Sequence, residues 1–216
     1  MSISYLGGIV GRLSAQGVEG GRDVSPGWLL TTADGEVAET AAQLFGGTPK
    51  RRAASPDVID VLLEADSIGV RLAGTAPVTR RFVRRDGVQV VHVCDGGRFL
   101  APASRLGRPC GCPSLAIDRR IAARKQLGPE PEVELYFRLQ AAPALGTFRL
   151  ESSSWSLAES LDEVGVPLKG EGSDALLEIR IRHARVSPKS GMDVRYSWPV
   201  VAVADQLDGG RLDVAA

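Results

Sequence analysis

Residues 78–93 read VTRRFVRRDGVQVVHV, and this stretch does most to narrow the fold. Two β-branched runs, Val78 to Arg84 and Val88 to Val93, flank Arg85-Asp86-Gly87. Asp-Gly readily adopts the left-handed dihedrals of a tight hairpin, so the stretch predicts two antiparallel strands. A hairpin at the centre of the chain steers the fold towards antiparallel sheet and away from a doubly wound parallel one.

The rest of the pattern agrees. Val58 to Leu63 and Ile68 to Ala73 are short apolar runs, read as two strands, with a helix as the competing reading for the first. Glu132 to Leu139 and Thr147 to Leu150 read as strands around a turn at Pro143 to Gly146. Ala175 to Val186 and Asp193 to Val203 read as two more; in the first, Leu177, Ile179 and Ile181 alternate with Glu178, Arg180 and Arg182, giving one buried and one wet face. Arg22 to Asp34 reads as extended and broken by Pro26. Gly46 to Pro56 reads as a loop with a basic knot, Lys50 to Arg52.

Three helices are expected. The first is capped by Asp34, with Val37, Ala41, Leu44 and Phe45 on one face and a stop at Gly46-Gly47. The second is basic, opened by Ser114 and closed by Gly128. The third has a capping box from Ser156 to Glu159, an apolar face of Leu157, Leu161 and Val164, and an end at Gly165. The expected fold class is α+β: a mainly antiparallel sheet, a few short helices and a Cys-containing loop insertion. One globular domain over 1–216 is expected, with a small Cys-rich and basic insertion at 95–131.

Hydrophobic content of 44% and charged content of 24% are ordinary for a soluble domain. No apolar run approaches the ~18 residues of a membrane span. The N-terminal stretch has no basic region ahead of its short apolar segment, so a cytoplasmic location is expected. Net charge is zero but uneven. From Arg80 to Lys125 there are eleven basic and three acidic residues, leaving that segment at +8 and the remainder at −8. A basic lobe suits an acidic partner or nucleic acid, although no aromatic residues interleave its arginines as a single-strand platform requires. Gly-x-Ser-x-Gly, His-Glu-x-x-His and the phosphate-loop pattern are all missing. Gly7 to Gly11 lacks the dinucleotide spacing. The expectation is that the chain is not an enzyme.

All three cysteines, Cys94, Cys110 and Cys112, lie within 19 residues. Four readings are open: metal ligands, a disulfide with a spare thiol, a nucleophile, or buried side chains. An odd count and a reducing cytosol argue against the disulfide. His92 and Cys94 are two apart at a strand end and share a face; Cys110 and Cys112 are two apart in a Gly-Pro loop. Together they make a Cys3His set suited to structural zinc, which takes four thiolate or imidazole ligands.

Several blocks, in order, resemble the recombination directionality factor-like family of actinobacterial phages. They are Gly11-Arg12-Leu13; Ala41-Ala42-Gln43-Leu44-Phe45-Gly46-Gly47; Cys94-Asp95-Gly96; Cys110-x-Cys112-Pro113; and Leu145 to Ser152 followed by Trp155 and a helix. A strand like Leu176 to Ile181 and a Pro-containing final strand complete the order, over roughly residues 8 to 203. Two departures stand out: Val93 occupies a position where the family favours Arg, and Gly128 to Pro131 lacks a further Cys. If the family site has four cysteines, this chain lacks one of them, and either His92 or a carboxylate replaces it or the metal is lost. The resemblance implies a partner, a phage large serine integrase bound through its coiled-coil arm. The chain would switch that integrase from integration to excision of the prophage, with DNA contacted only indirectly. The alternatives are a direct DNA-binding zinc protein and a small hydrolase.

Overall fold

A computed structural model describes residues 8–16, 27–74, 76–165, 176–186 and 194–203. Among the described residues twelve strands form one sheet whose main path runs β12-β11-β5-β9-β10-β1-β2-β4-β3. In chain order these are β1 Ile9–Gln16, β2 Gly27–Thr32, β3 Pro49–Arg52, β4 Ser55–Leu63, β5 Ser67–Leu72, β6 Val78–Asp86, β7 Gln89–Cys94, β8 Phe99–Ala101, β9 Glu130–Leu139, β10 Thr147–Ser152, β11 Leu176–Val186 and β12 Val194–Val203. The helices are α1 Gly35–Phe45, α2 Ala116–Arg124 and α3 Trp155–Val164. Among the described pairings only β1 and β10 run parallel. The α+β expectation therefore holds: a mainly antiparallel sheet with three short helices.

The sheet is rolled. On a flat sheet the five steps from β5 to β4 would cover about 24 Å at ~4.8 Å each. Residues 64–66 join the same two strands, and that link reaches at most about 14 Å. Only a curled sheet satisfies both. Asp66 sits on this link, and its carbonyl accepts from the Trp28 indole of β2 at 3.1 Å and from the Ile181 backbone N–H of β11 at 2.8 Å. Both sides of the roll thus meet at one residue.

Alternation builds the interior. Trp28 and Leu30 of β2, Val133, Leu135, Phe137 and Leu139 of β9, and Leu177, Ile179 and Ile181 of β11 all turn into one cluster. The outer face carries a chain of ion pairs. It runs from Arg12 to Glu151 (2.8 Å), on to Arg149, to Glu134 (3.2 Å), to Arg81 (3.7 Å), to Glu132 (2.9 Å) and to Arg85. It crosses β1, β10, β9 and β6 in their order in the sheet. Burial raises the Glu132 carboxyl, but hydrogen bonds from Arg85 and Arg81 outweigh it and hold it below its ordinary value. That contribution is present above the ordinary carboxylate range and fades as pH falls through the depressed value.

α1 begins where Asp34 accepts from the Glu36 and Val37 N–H groups at 2.8 and 3.4 Å. Its buried stripe is Val37, Ala38 and Ala41; Leu44, expected on that face, is exposed. At Gly47, with φ of 98°, a Cβ would stand 2.1 Å from the Leu62 carbonyl oxygen, so only glycine fits this stop. α3 is capped by Ser154, not Ser156: the Ser154 hydroxyl accepts from Leu157 N–H at 3.4 Å. Leu157, Ala158 and Leu161 face the core, and the Ser160 hydroxyl accepts from Val201 N–H at 3.0 Å, tying α3 to β12. The basic knot expected as loop is β3, because Pro49 to Arg52 pairs with β4 as an edge strand. α2 is shorter than expected: Leu115 stands at its N-cap with no side-chain cap bond, and it ends at Arg124.

Trp28 is fully buried. We expect Trp28→Ala to cost about 3–5 kcal/mol in chemical denaturation. The exposed Leu62→Ala should stay within about 1 kcal/mol of wild type.

Candidate metal centre

β6 leaves the main path. It pairs with β9 along Val78 to Val83 and with β7 on its other side; β7 then pairs with β8. Phe82, Val83, Cys94, Phe99 and Ala123 are buried in this lobe but stand outside the main cluster. Its own apolar packing is small.

The backbone brings the cysteines together in two steps. After Cys94, the Asp95 carboxylate accepts from the Gly97 and Arg98 N–H groups at 2.8 and 2.7 Å. Those bonds reverse the chain and hold the Asp95 carboxyl below its ordinary value. Gly96 has φ of 103°, and a Cβ there would stand 2.4 Å from Arg119 Nη1. The returning strand then pairs Arg98 with Pro109, and Cys110 N–H donates to the Gly97 carbonyl at 2.9 Å. Gly111, at φ of 73°, turns the chain so that Cys112 follows.

His92, Cys94, Cys110 and Cys112 end with their ligand atoms all within 4.8 Å of one another. Cys94 Sγ lies 3.8 Å from Cys112 Sγ, which lies 3.5 Å from His92 Nε2. Tetrahedral zinc with bonds of about 2.3 Å to sulfur and 2.0–2.1 Å to nitrogen has S···S edges of about 3.8 Å and S···N edges of about 3.6 Å. Two edges of the cluster match. A disulfide needs about 2.05 Å, and the three cysteines are free.

Without an ion, burial dominates the electrostatics of the cluster. Burial pushes the Cys94 and Cys112 thiols up, and Cys110 adds to both. A nucleophile and a metal ligand both act as thiolates, so an ion bound here would displace the thiol protons. The Gly96 N–H bond to Cys94 and the Arg119 charge near Cys112 act in the opposite sense to burial. Such N–H and cationic neighbours are what metal thiolates use. Burial, with Arg84 and Arg105, lowers the His92 pKa and favours the neutral imidazole that ligates. The Phe99 ring packs 4.6 Å from it. The donor set and spacing therefore fit a bound ion.

The second histidine does different work. His183 Nδ1 lies 2.9 Å from Ser197 Oγ, and Nε2 lies 3.2 Å from Asp66 Oδ1. This Ser-His-Asp string joins β11, β12 and the residue 64–66 link. Ser197 is only 9% exposed, so the string reads as a tie between strands. Neither Asp66 nor Ser197 carries a recognisable motif in the sequence. The Cys94-Asp95-Gly96 turn does, since Asx turns pair Asp with a following glycine.

A family model described as Gp3-like, recombination directionality factor-like, matches residues 24–171, just over two thirds of the chain. It spans the whole lobe and all four cluster residues. No solved structure matches the chain.

In metal-free protein at neutral pH, Cys94 should alkylate roughly tenfold or more slowly than the same residue in unfolded chain. Iodoacetamide labelling read by peptide mass spectrometry checks this; equal rates would contradict the raised thiol.

Proposed function

The chain belongs to the recombination directionality factor-like family, and from that premise we propose that it binds a phage large serine integrase and switches it from integration to excision of the prophage. The family match over 24–171 carries this reading. Contact is through the integrase's coiled-coil arm, in the cytoplasm of the bacterial host, and DNA is engaged only through the integrase. The chain does no strand chemistry of its own; the gathering of three thiols and one imidazole within 4.8 Å supports a scaffold role over a nucleophilic one. Among the described residues no helix is long and apolar enough to cross a membrane.

The switch is a population shift. A factor that binds two integrase assemblies equally changes nothing. Inverting a 1:99 preference to 99:1 requires about 10⁴-fold tighter binding to the excision-competent assembly, about 5.5 kcal/mol. A sheet domain that places a separate lobe on a rigid roll suits such differential contact.

Cys94, Cys110, Cys112 and His92 hold a structural zinc in this reading. The ion supplies a cross-link between β7 and the loop before α2, where the lobe has little apolar packing. Three thiolates on a divalent ion leave one net negative charge, and Arg119 beside Cys112 offsets it.

A second reading, a zinc protein that binds DNA directly, draws on the +8 segment from Arg80 to Lys125. It requires DNA retention without integrase, falling steeply with salt.

The test is a recombination assay with the integrase from the same phage, with and without this protein. Excision between the hybrid sites should switch on, and joining of the original phage and bacterial sites should fall. No effect with an active integrase rejects the reading. Purified protein should carry one zinc per chain. A Cys110→Ser, Cys112→Ser variant should lose it and melt about 10 °C lower.

A further inference from the structure

The second helix is inside out. Arg119 turns inward, its guanidinium 4.8 Å from the Phe82 ring and donating to the Ser114 carbonyl at 3.1 Å. Ala123 is the one buried apolar side chain of α2. Ile117 and Ile121, four apart on one stripe, are 59% and 43% exposed. Leu115 and Leu127, just beyond the two ends, are 61% and 70% exposed. This stripe is part of a wider pattern: eight of the ten large apolar side chains exposed among the described residues fall between Val88 and Leu127. Isolated exposed apolar residues need no explanation, but such a concentration does.

The same 40 residues carry seven Arg or Lys and two Asp. Arg124 and Lys125 are exposed at the end of α2, next to the apolar stripe. Charge chooses the occupant. Two copies of this lobe would bring like charges face to face, so a symmetric dimer through it is disfavoured. Nucleic acid would pair with the arginines but leave isoleucine and leucine uncovered. A helix with an apolar stripe flanked by Asp or Glu satisfies both features, because i, i+4 apolar pairs pack into the groove of a facing helix.

We propose that Ile117 and Ile121 of α2, with the exposed Leu115 and Leu127 beyond its two ends and with Arg124 and Lys125, form the docking face for an acidic amphipathic helix of the partner protein. It rests on the integrase reading above and names the surface that would serve it. The lobe is held out from the main core, and the Cys3His cluster sits at the base of the segment leading into α2. An ion bound there would fix the position of this face.

The experiment measures binding of the full chain to immobilised integrase from the same phage by biolayer interferometry. One variant is Ile117→Ser with Ile121→Ser; a second is Arg124→Glu with Lys125→Glu; Leu44→Ser with Leu62→Ser is the control elsewhere on the surface. The altered α2 side chains are exposed, so wild-type circular dichroism and metal content are expected. Each α2 variant should lose roughly tenfold or more in affinity, with the charge variant losing mainly association rate and salt dependence. The control should bind as wild type. Wild-type affinity in both α2 variants overturns the docking face and leaves the integrase reading standing. No binding by the unaltered chain overturns both. Self-association of the unaltered chain lost in the isoleucine variant, or DNA retention without integrase lost in the charge variant, also overturns it, in favour of a second copy or of nucleic acid.

Discussion

Strand β9 hydrogen-bonds to three partners, and the molecule is arranged around that fact. β10 lies along one edge; β6 and then β5 share the other, end to end. Its alternation serves two faces at once. Val133, Leu135, Phe137 and Leu139 enter the core, while Glu132 and Glu134 anchor the ion-pair chain outside. A one-residue slip would exchange these faces, placing carboxylates in the core. Register is therefore set by burial, and the short 64–66 link then sets the curvature.

Because β6 takes its place on β9, the lobe is fastened by backbone ladder more than by shared core. Its few buried side chains stand apart from the main cluster. This separates two tasks. The roll supplies stability through apolar area, and the lobe presents chemistry: thiols, imidazole, arginines and exposed aliphatics. A small unit of this kind needs a cross-link more than it needs further leucines.

Local signals in the sequence carried a long way. Asp86-Gly87 marks the β6–β7 turn, Asp34 caps α1, and the two-residue spacings of His92/Cys94 and Cys110/Cys112 anticipate the cluster. What stayed hidden depended on distant partners. β3 reads as a basic loop because its strand character comes from β4 alongside. Ser156 with Glu159 reads as a capping box, but the cap falls at Ser154, where the chain arrives from β10. Leu44 fits the helical stripe but lies beyond the reach of the sheet. The parallel β1–β10 pair has no local signature, and neither does the meeting of Trp28 and Ile181 on Asp66.

That parallel pair bears on how the chain is made. β1 leaves the ribosome well ahead of its partner β10, which begins at Thr147. At about 5–20 residues per second, one edge of β1 waits roughly 7–28 s for its neighbour. β5 likewise waits for β9. During that interval the growing chain holds open strand edges on β1, β5 and β6 beside an unfinished core, the condition in which nascent sheets recruit chaperones or one another. Slow synthesis of the middle of the chain would lengthen that exposure, so soluble yield should respond to elongation rate across residues 73–146.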